Sequence, residues 1–303
     1  MTHDRPLLGI LLMLGFCAVA PMADAVAKIL GETIPLLQLI TVRFVIQAVV
    51  LVPLVLATGR IWRMRGRILH LVMLRTVLHI AGIALMFSAL KYLPLADAIA
   101  IAFVMPFILL ILGKYTLGEE VGPRRLIACL VGFCGTLLVI QPSFVAVGWP
   151  ALLPLGVAVT FALFVLVTRA IAKQTDPVGL QAVSGVMASL VLLPPLLLFG
   201  DSGPEALRLV RPEGGEWALL AAVGLLGTGG HLLMTWSLRF APAATLAPMQ
   251  YLEIPFATFI GWLVWRDLPN GLAALGIAIT VMSGLYIVLR ERALSRAAET
   301  AEA

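Results

Sequence analysis

The pentapeptide LKYLP, Leu90–Pro94, returns 148 residues later as LRFAP, Leu238–Pro242. In both copies an apolar run closes on a cation and an aromatic residue, and a proline opens the next run. The same offset carries Glu119 onto Asp267. It carries Ala128, Gly132 and Thr136 onto Gly276, Thr280 and Gly284. Small residues four apart let helix backbones approach closely. Earlier in the chain the offset shortens to 141–143, where Lys28 meets Arg169, Gln38 meets Gln181, and Pro53 meets Pro194-Pro195. The chain reads as one unit written twice.

Composition says what the unit is made of. Of 303 residues, 61% are hydrophobic and 12% charged, against about 25% charged in soluble domains. Mean hydropathy is +1.05. This reads as an all-α polytopic membrane protein in a lipid bilayer. Ten apolar runs of spanning length fall near 7–30, 35–57, 70–91, 94–113, 123–141, 149–172, 177–199, 216–240, 242–265 and 270–290. No alternating barrel pattern competes with the helical reading. The expected units are residues 7–141 and 149–290, followed by a charged, Ala-rich tail over 291–303 that reads as frayed. Five crossings per unit is an odd number, so the second copy must enter the membrane from the opposite face. That is an inverted repeat, on which many secondary transporters are built. Ala18-Val19-Ala20 imitates a leader cleavage site, but Pro21 follows it and Arg5 is the one firm cation before it. The first span is read as retained.

Fourteen of the 21 Lys and Arg residues fall on the side of the N-terminus in this layout, and five on the other. Arg43 and Arg75 lie within spans. The bias places both termini in the cytoplasm. The loop GRIWRMRGR, Gly59–Arg67, carries most of it and reads as a topology anchor. The net charge of +5 is thus explained by helix flanks, and no nucleic-acid partner is expected. Cys17, Cys129 and Cys134 sit in apolar runs without ligand spacing, so neither a disulfide framework nor a metal site is implied.

The sequence resembles the drug/metabolite transporter superfamily, in its ten-helix bacterial form with two EamA-type domains. The resemblance spans about residues 7–290. It rests on Arg43-Phe44, on KYLPLADA (Lys91–Ala98) with Pro106 beyond it, on LGEE (Leu117–Glu120), and on LRFAPAAT (Leu238–Thr245) with Glu253 and Pro255. One departure is that Glu119-Glu120 has only Asp267 as its counterpart. The resemblance implies a bacterial inner-membrane location, secondary active transport without a cofactor, and small organic cargo. Amino acids, nucleosides, vitamins and S-adenosylmethionine belong to that range. Export of an amino-acid-like metabolite is the first expectation. Uptake of a vitamin or cofactor such as riboflavin or S-adenosylmethionine is the second. A channel and an intramembrane enzyme are distant rivals: no HExxH motif is present, and Ser184-Gly185 lacks the first Gly of a protease signature.

Charged side chains in spans face the interior, pair, or line a pathway. Glu253 falls near mid-membrane with Gln250 on the same helix face, between Pro248 and Pro255, which can kink the helix. It is read as a carrier of the coupling proton or a cation contact, or else as a protonated group bonded to a neighbouring helix. Asp24 and Arg43 fall at similar depth on antiparallel spans and could pair, as a structural bridge or as a substrate contact, with Lys28 snorkelling one turn outward. His79 and His231 fall near the middle of spans three and eight. Trp236, Phe103, Tyr251 and Phe107 could stack on a ring-bearing cargo. Arg75 reads as snorkelling to the cytoplasm, Asp97 as a cap after Pro94, and Asp201–Glu216 as a solvated loop. Pro106, Pro248 and Pro255 are the hinge candidates. The small-residue stripes offer a surface for a homodimer.

Overall fold

The computed structural model describes residues 5–117, 122–200 and 204–302, and every regular element among them is helical. In chain order these are α1 (Pro6–Leu30), α2 (Leu36–Thr58), α3 (Gly66–Leu90), α4 (Leu95–Ala102), α5 (Met105–Leu117) and α6 (Pro123–Val147). The second half gives α7 (Leu153–Ala172), α8 (Pro177–Phe199), α9 (Glu216–Phe240), α10 (Ala243–Gln250), α11 (Glu253–Trp265) and α12 (Gly271–Glu302). Among the described residues eight stretches are long and apolar enough to cross a bilayer, and α4 with α5 counts as one of them. Two shorter apolar helices follow, Glu253–Trp265 and Gly271–Tyr286.

Two expected spans are broken. The run 94–113 divides into α4 and α5 at Phe103-Val104, and 242–265 divides into α10 and α11 at Tyr251-Leu252. Proline supplies the reason. A proline lacks its N–H, and its ring clashes with the carbonyl four residues back. For Pro106 that carbonyl belongs to Ala102, the last residue of α4; for Pro255 it belongs to Tyr251, inside the second break. Pro248 lies within α10, and its side chain is outside the described residues. Glu119 and Glu120 of LGEE are outside them too. The tail expected to fray continues α12 to Glu302, in keeping with the high helix propensity of Ala, Arg and Glu.

The principal helix pairs are α1 with α9, α3 with α7, α2 with α8 and α6 with α12. Each joins one half of the chain to the other. Contacts exchange when the halves are exchanged. A methyl added at Gly15 would lie 3.2 Å from Leu233, and one at Gly156 would lie 3.0 Å from Leu85. Gly230 faces Val19, and Gly82 faces Thr160. The offsets of 141 and 148 read from the sequence convert each contact into its mate. Along α1 and α9, Gly9 meets Ala241, Gly15 meets Leu233 and Val19 meets Gly230, so the two helices run antiparallel.

The stripes on α6 and α12 meet one another inside the chain. Thr280 Oγ1 donates to Gly132 O at 3.2 Å, Ser283 Oγ donates to Ala128 O, and Gly276 abuts the Gly135 carbonyl. The face offered for a homodimer is therefore occupied within one molecule.

Two loops are also docked. Asp176 caps α8 by accepting from Val178 N at 3.1 Å and Gly179 N at 2.9 Å, and it pairs with Arg60 at 3.0 Å. Within the loop read as solvated, Val210 exchanges two hydrogen bonds with the Gln38 amide, at 2.8 and 2.9 Å.

Candidate functional site

A cavity lies between α1, α2, α3, α4, α7, α9 and α11, with much of its lining drawn from the second half of α3 and the first half of α7. About 110 Å³ of it is open to the centres of water molecules, several times the roughly 10–15 Å³ that one water needs. Asp24, Arg43, His79, His231 and Glu253 all line it. Five candidates separated by up to 229 positions in sequence thus share one wall. Phe16, Phe87, Phe103 and Phe161 supply most of the aromatic surface.

Asp24 and Arg43 share the cavity without closing into an ion pair. Arg60–Asp176 is the ion pair within 4.0 Å among the described residues. Arg43 is buried, its Nη1 has no hydrogen-bond partner, and its guanidinium carbon stands 5.2 Å from the Phe44 ring. Gly227 makes room for it: a Cβ there would lie 2.6 Å from Arg43 Nε. Because the obstructed group is the end of a flexible side chain, Gly227→Ala should displace the guanidinium at little cost in stability. We expect a rise of about tenfold or more in transport KM, as for loss of a charged hydrogen bond. The melting temperature should stay unchanged. Counterflow and thermal-shift measurements check the two halves of that expectation. The absent ion pair also sets a coupling. A double-mutant cycle of Asp24→Asn and Arg43→Gln should give about 0.5 kcal/mol or less, as for residues without a shared contact, and not the roughly 0.5–3 kcal/mol of residues joined in one salt bridge.

His79 and His231 meet, with Nε2 atoms 3.1 Å apart, and each Nδ1 is without a partner. One ring must donate to the other across that gap. Phe164 packs against both, at 4.6 and 5.7 Å between centroids. Glu253 begins α11 directly after the break and is 9% exposed, its carboxyl opening into the cavity.

Other candidates lie elsewhere. Gln250 and Tyr251 are buried outside its lining, each 1% exposed; neither Gln250 amide atom has a partner, and the Tyr251 hydroxyl turns toward Cys129 and Gly132 on α6. Tyr251 packs against Phe103, with ring centroids 5.5 Å apart and planes tilted by 41°, and Phe103 does reach the cavity. Trp236 belongs to a separate cluster with Leu51, Val55, Val178 and Ala182, and Phe107 packs on Phe133. The Lys28 ammonium donates to Leu93 O at 2.6 Å, in the turn between α3 and α4, and stands 5.1 Å from the Trp265 ring. Its mate Arg169 likewise donates to Leu238 O at 2.6 Å. Asp97 is no cap: it accepts from Ser143 Oγ at 2.9 Å, tying α4 to α6.

Arg75 is the residue sequence reasoning missed. It is 0% exposed. Its Nε donates to Thr168 Oγ1 at 2.8 Å, Nη1 to Ser184 Oγ at 2.8 Å, and Nη2 to Thr235 Oγ1 at 3.5 Å. The guanidinium carbon lies 4.4 Å from the Phe164 ring. One signal pointed to it: Arg75 is four residues from His79, on the same helix face.

A model of the EamA-like transporter family matches the chain twice, over residues 7–141 and 148–290. The chain is a member of that family. It is therefore a multi-pass membrane transporter of the drug/metabolite transporter superfamily, and not an enzyme. A riboflavin transporter of Rhizobium johnstonii is 31% identical over 72% of this chain and 69% of its own length. The pseudopaline exporter CntI of Pseudomonas aeruginosa is 26% identical over 95% of this chain and 96% of its own. An S-adenosylmethionine uptake transporter of Rickettsia prowazekii is 22% identical over 89% and 88%. A crystal structure at 22% identity matches 95% of this chain and 98% of that one with a TM-score of 0.69, a likeness of fold.

Proposed function

We propose that this EamA-family protein is a secondary transporter of the bacterial inner membrane. It moves a small organic metabolite carrying both charge signs, such as an amino-acid-like solute, by alternating access, with export as the working direction. The observation behind this is the unpaired state of the charges in the cavity. Arg43 faces the same space as Asp24 and Glu253 without neutralising either in a contact pair. A carboxylate on the cargo can dock on Arg43, and an ammonium on Asp24 or Glu253. Oppositely charged groups held apart by a cavity fit a zwitterion better than a neutral solute.

Ten crossings are part of this reading. α10 and α11 together make the ninth, and the apolar part of α12 makes the tenth. The mirrored breaks in α4/α5 and α10/α11, and the antiparallel exchange pairs, favour halves inserted in opposite senses. The Lys and Arg bias favours cytoplasmic termini. Proteoliposomes loaded with candidate amino acids test the function. Gradient-dependent exchange that Arg43→Gln removes supports the reading, and flux without saturation would indicate a channel.

Riboflavin-transporter relatives support a second reading, uptake of a vitamin or cofactor. Its own observation is the ring-lined wall of Phe16, Phe161, His79 and His231, which suits a flat heterocycle. Competition between riboflavin and amino acids for the same flux separates the two.

A further inference from the structure

We propose that Arg75, Gln250 and Tyr251 belong to a second cargo-contacting wall, sealed in this conformation and uncovered when the molecule opens at its opposite end. The proposal rests on the alternating-access reading above and names the groups that reading leaves unassigned.

The argument starts from the exchange of the two halves. If the open cavity is carried through the offsets of 141 and 148, Ala23 becomes Phe164, Phe87 becomes Thr235, Ala102 becomes Gln250 and Phe103 becomes Tyr251. Arg43 becomes the Ser184–Val186 stretch. Contacts already obey these offsets, as Gly15 with Leu233 and Gly156 with Leu85 demonstrate. Every one of the four single mates is now closed off, with exposures of 0% for Phe164 and 1% for Thr235, Gln250 and Tyr251.

The chemistry of this hidden wall is what a resting binding surface would have. Arg75 is held by the hydroxyls of Ser184 and Thr235, which are mates of cavity-lining positions, and by Thr168. Among the described residues no carboxylate lies within ion-pair distance of it. A guanidinium buried among neutral hydroxyls keeps its charge available to an anion. Gln250 is buried with donor and acceptor both unused, and the Tyr251 hydroxyl has only the weakly accepting Cys129 thiol beside it. Buried polar groups in native proteins are nearly always satisfied. Gln250 ends α10 just before the Glu253 hinge, at a position that the exchange turns into cavity wall. Water or cargo satisfies its amide in the other state. The ligand chemistry follows: a carboxylate or phosphate for the Arg75 fork, with amide-like or hydroxyl groups for Gln250 and Tyr251. Phe164 touches both Arg75 and His79, so a cargo anion leaving Arg43 passes the histidine pair to reach Arg75.

Accessibility tests this in the full-length protein in oriented proteoliposomes. Gln250→Cys and Ala23→Cys are treated with a membrane-impermeant methanethiosulfonate from each face, and labelled sites are read by peptide mass. Ala23→Cys should label from one face and Gln250→Cys from the other. Native Cys17, now 0% exposed and the mate of cavity-lining Ala158, should follow Gln250→Cys. Inorganic phosphate or acetate at that face should about halve the rate at position 250, the effect of a half-occupied site. Arg75→Gln should abolish that protection and Arg75→Lys should retain it, with melting temperature reporting the fold of both. A Gln250→Cys protein that labels from neither face, while Ala23→Cys labels and amino-acid exchange continues, overturns the second wall and leaves the transport reading standing. Ala23→Cys silent from both faces overturns both. Protection that survives Arg75→Gln overturns the role of Arg75.

Discussion

Glu253→Gln should sharply reduce solute transport while leaving the melting temperature of the purified protein unchanged. The carboxyl stands at the start of α11, immediately after a proline-enforced break, and opens into the cavity rather than onto a helix neighbour. No structural hydrogen bond is lost in the change, and Gln fills the same volume. What disappears is the ability to bind a cation or to carry a proton. Loss of a charge-assisted contact of about 1.5–3 kcal/mol lowers transport about 10- to 150-fold. A proton-carrying role adds a second signature, since the variant's residual rate should be flat with pH where the parent's is not. Exchange measured across a pH series decides it. Full transport with the parent's pH profile would remove Glu253 from the mechanism.

Gly276→Val should do the reverse, destabilising the fold without touching the cavity. Any Cβ at Gly276 runs into the backbone carbonyl of Gly135 and lies 3.0 Å from Leu138 Cβ and Val139 Cγ2. A backbone carbonyl cannot rotate away, so α6 and α12 must separate, breaking the Thr280–Gly132 hydrogen bond. In lipid no hydrophobic gain restores the contact, because acyl chains are as apolar as the helix face. About 2–3 kcal/mol is the expected loss, read as a lowered midpoint in detergent unfolding. Gly229→Ala is the control: nothing lies within 4 Å of its Cβ, and helix propensity alone favours it by about 0.5–1 kcal/mol. Equal midpoints for the two variants would mean that the α6–α12 contact is looser than the structure has it.

Some features of the site were legible in advance. Depth arithmetic along α1 and α2 brought Asp24 and Arg43 to one level, and they do line one cavity. It could not show that the cavity keeps them apart. Arg75 was misjudged because its span was begun at residue 70. α3 starts at Gly66, so Arg75 is nine residues in, roughly 13 Å along the axis, too deep to reach water. Trp236 and His231 lie five positions apart on α9, so one packs against the core cluster around Leu51 and the other faces the cavity.

The sequence by itself determined that the chain crosses a membrane as helices, that it is one unit written twice, and that α6 and α12 carry small-residue stripes able to pack closely, though not that they pack on one another. These follow from composition, segment length and the offset of 148, all properties of the chain in one dimension. Only the tertiary structure decided which polar residues meet. Helices in lipid are apolar on every face, so hydropathy does not fix which face of each helix turns inward. That rotation, set by packing between the two halves, joins His79 to His231, opens Glu253 to the cavity and buries Arg75, Gln250 and Tyr251 outside its lining.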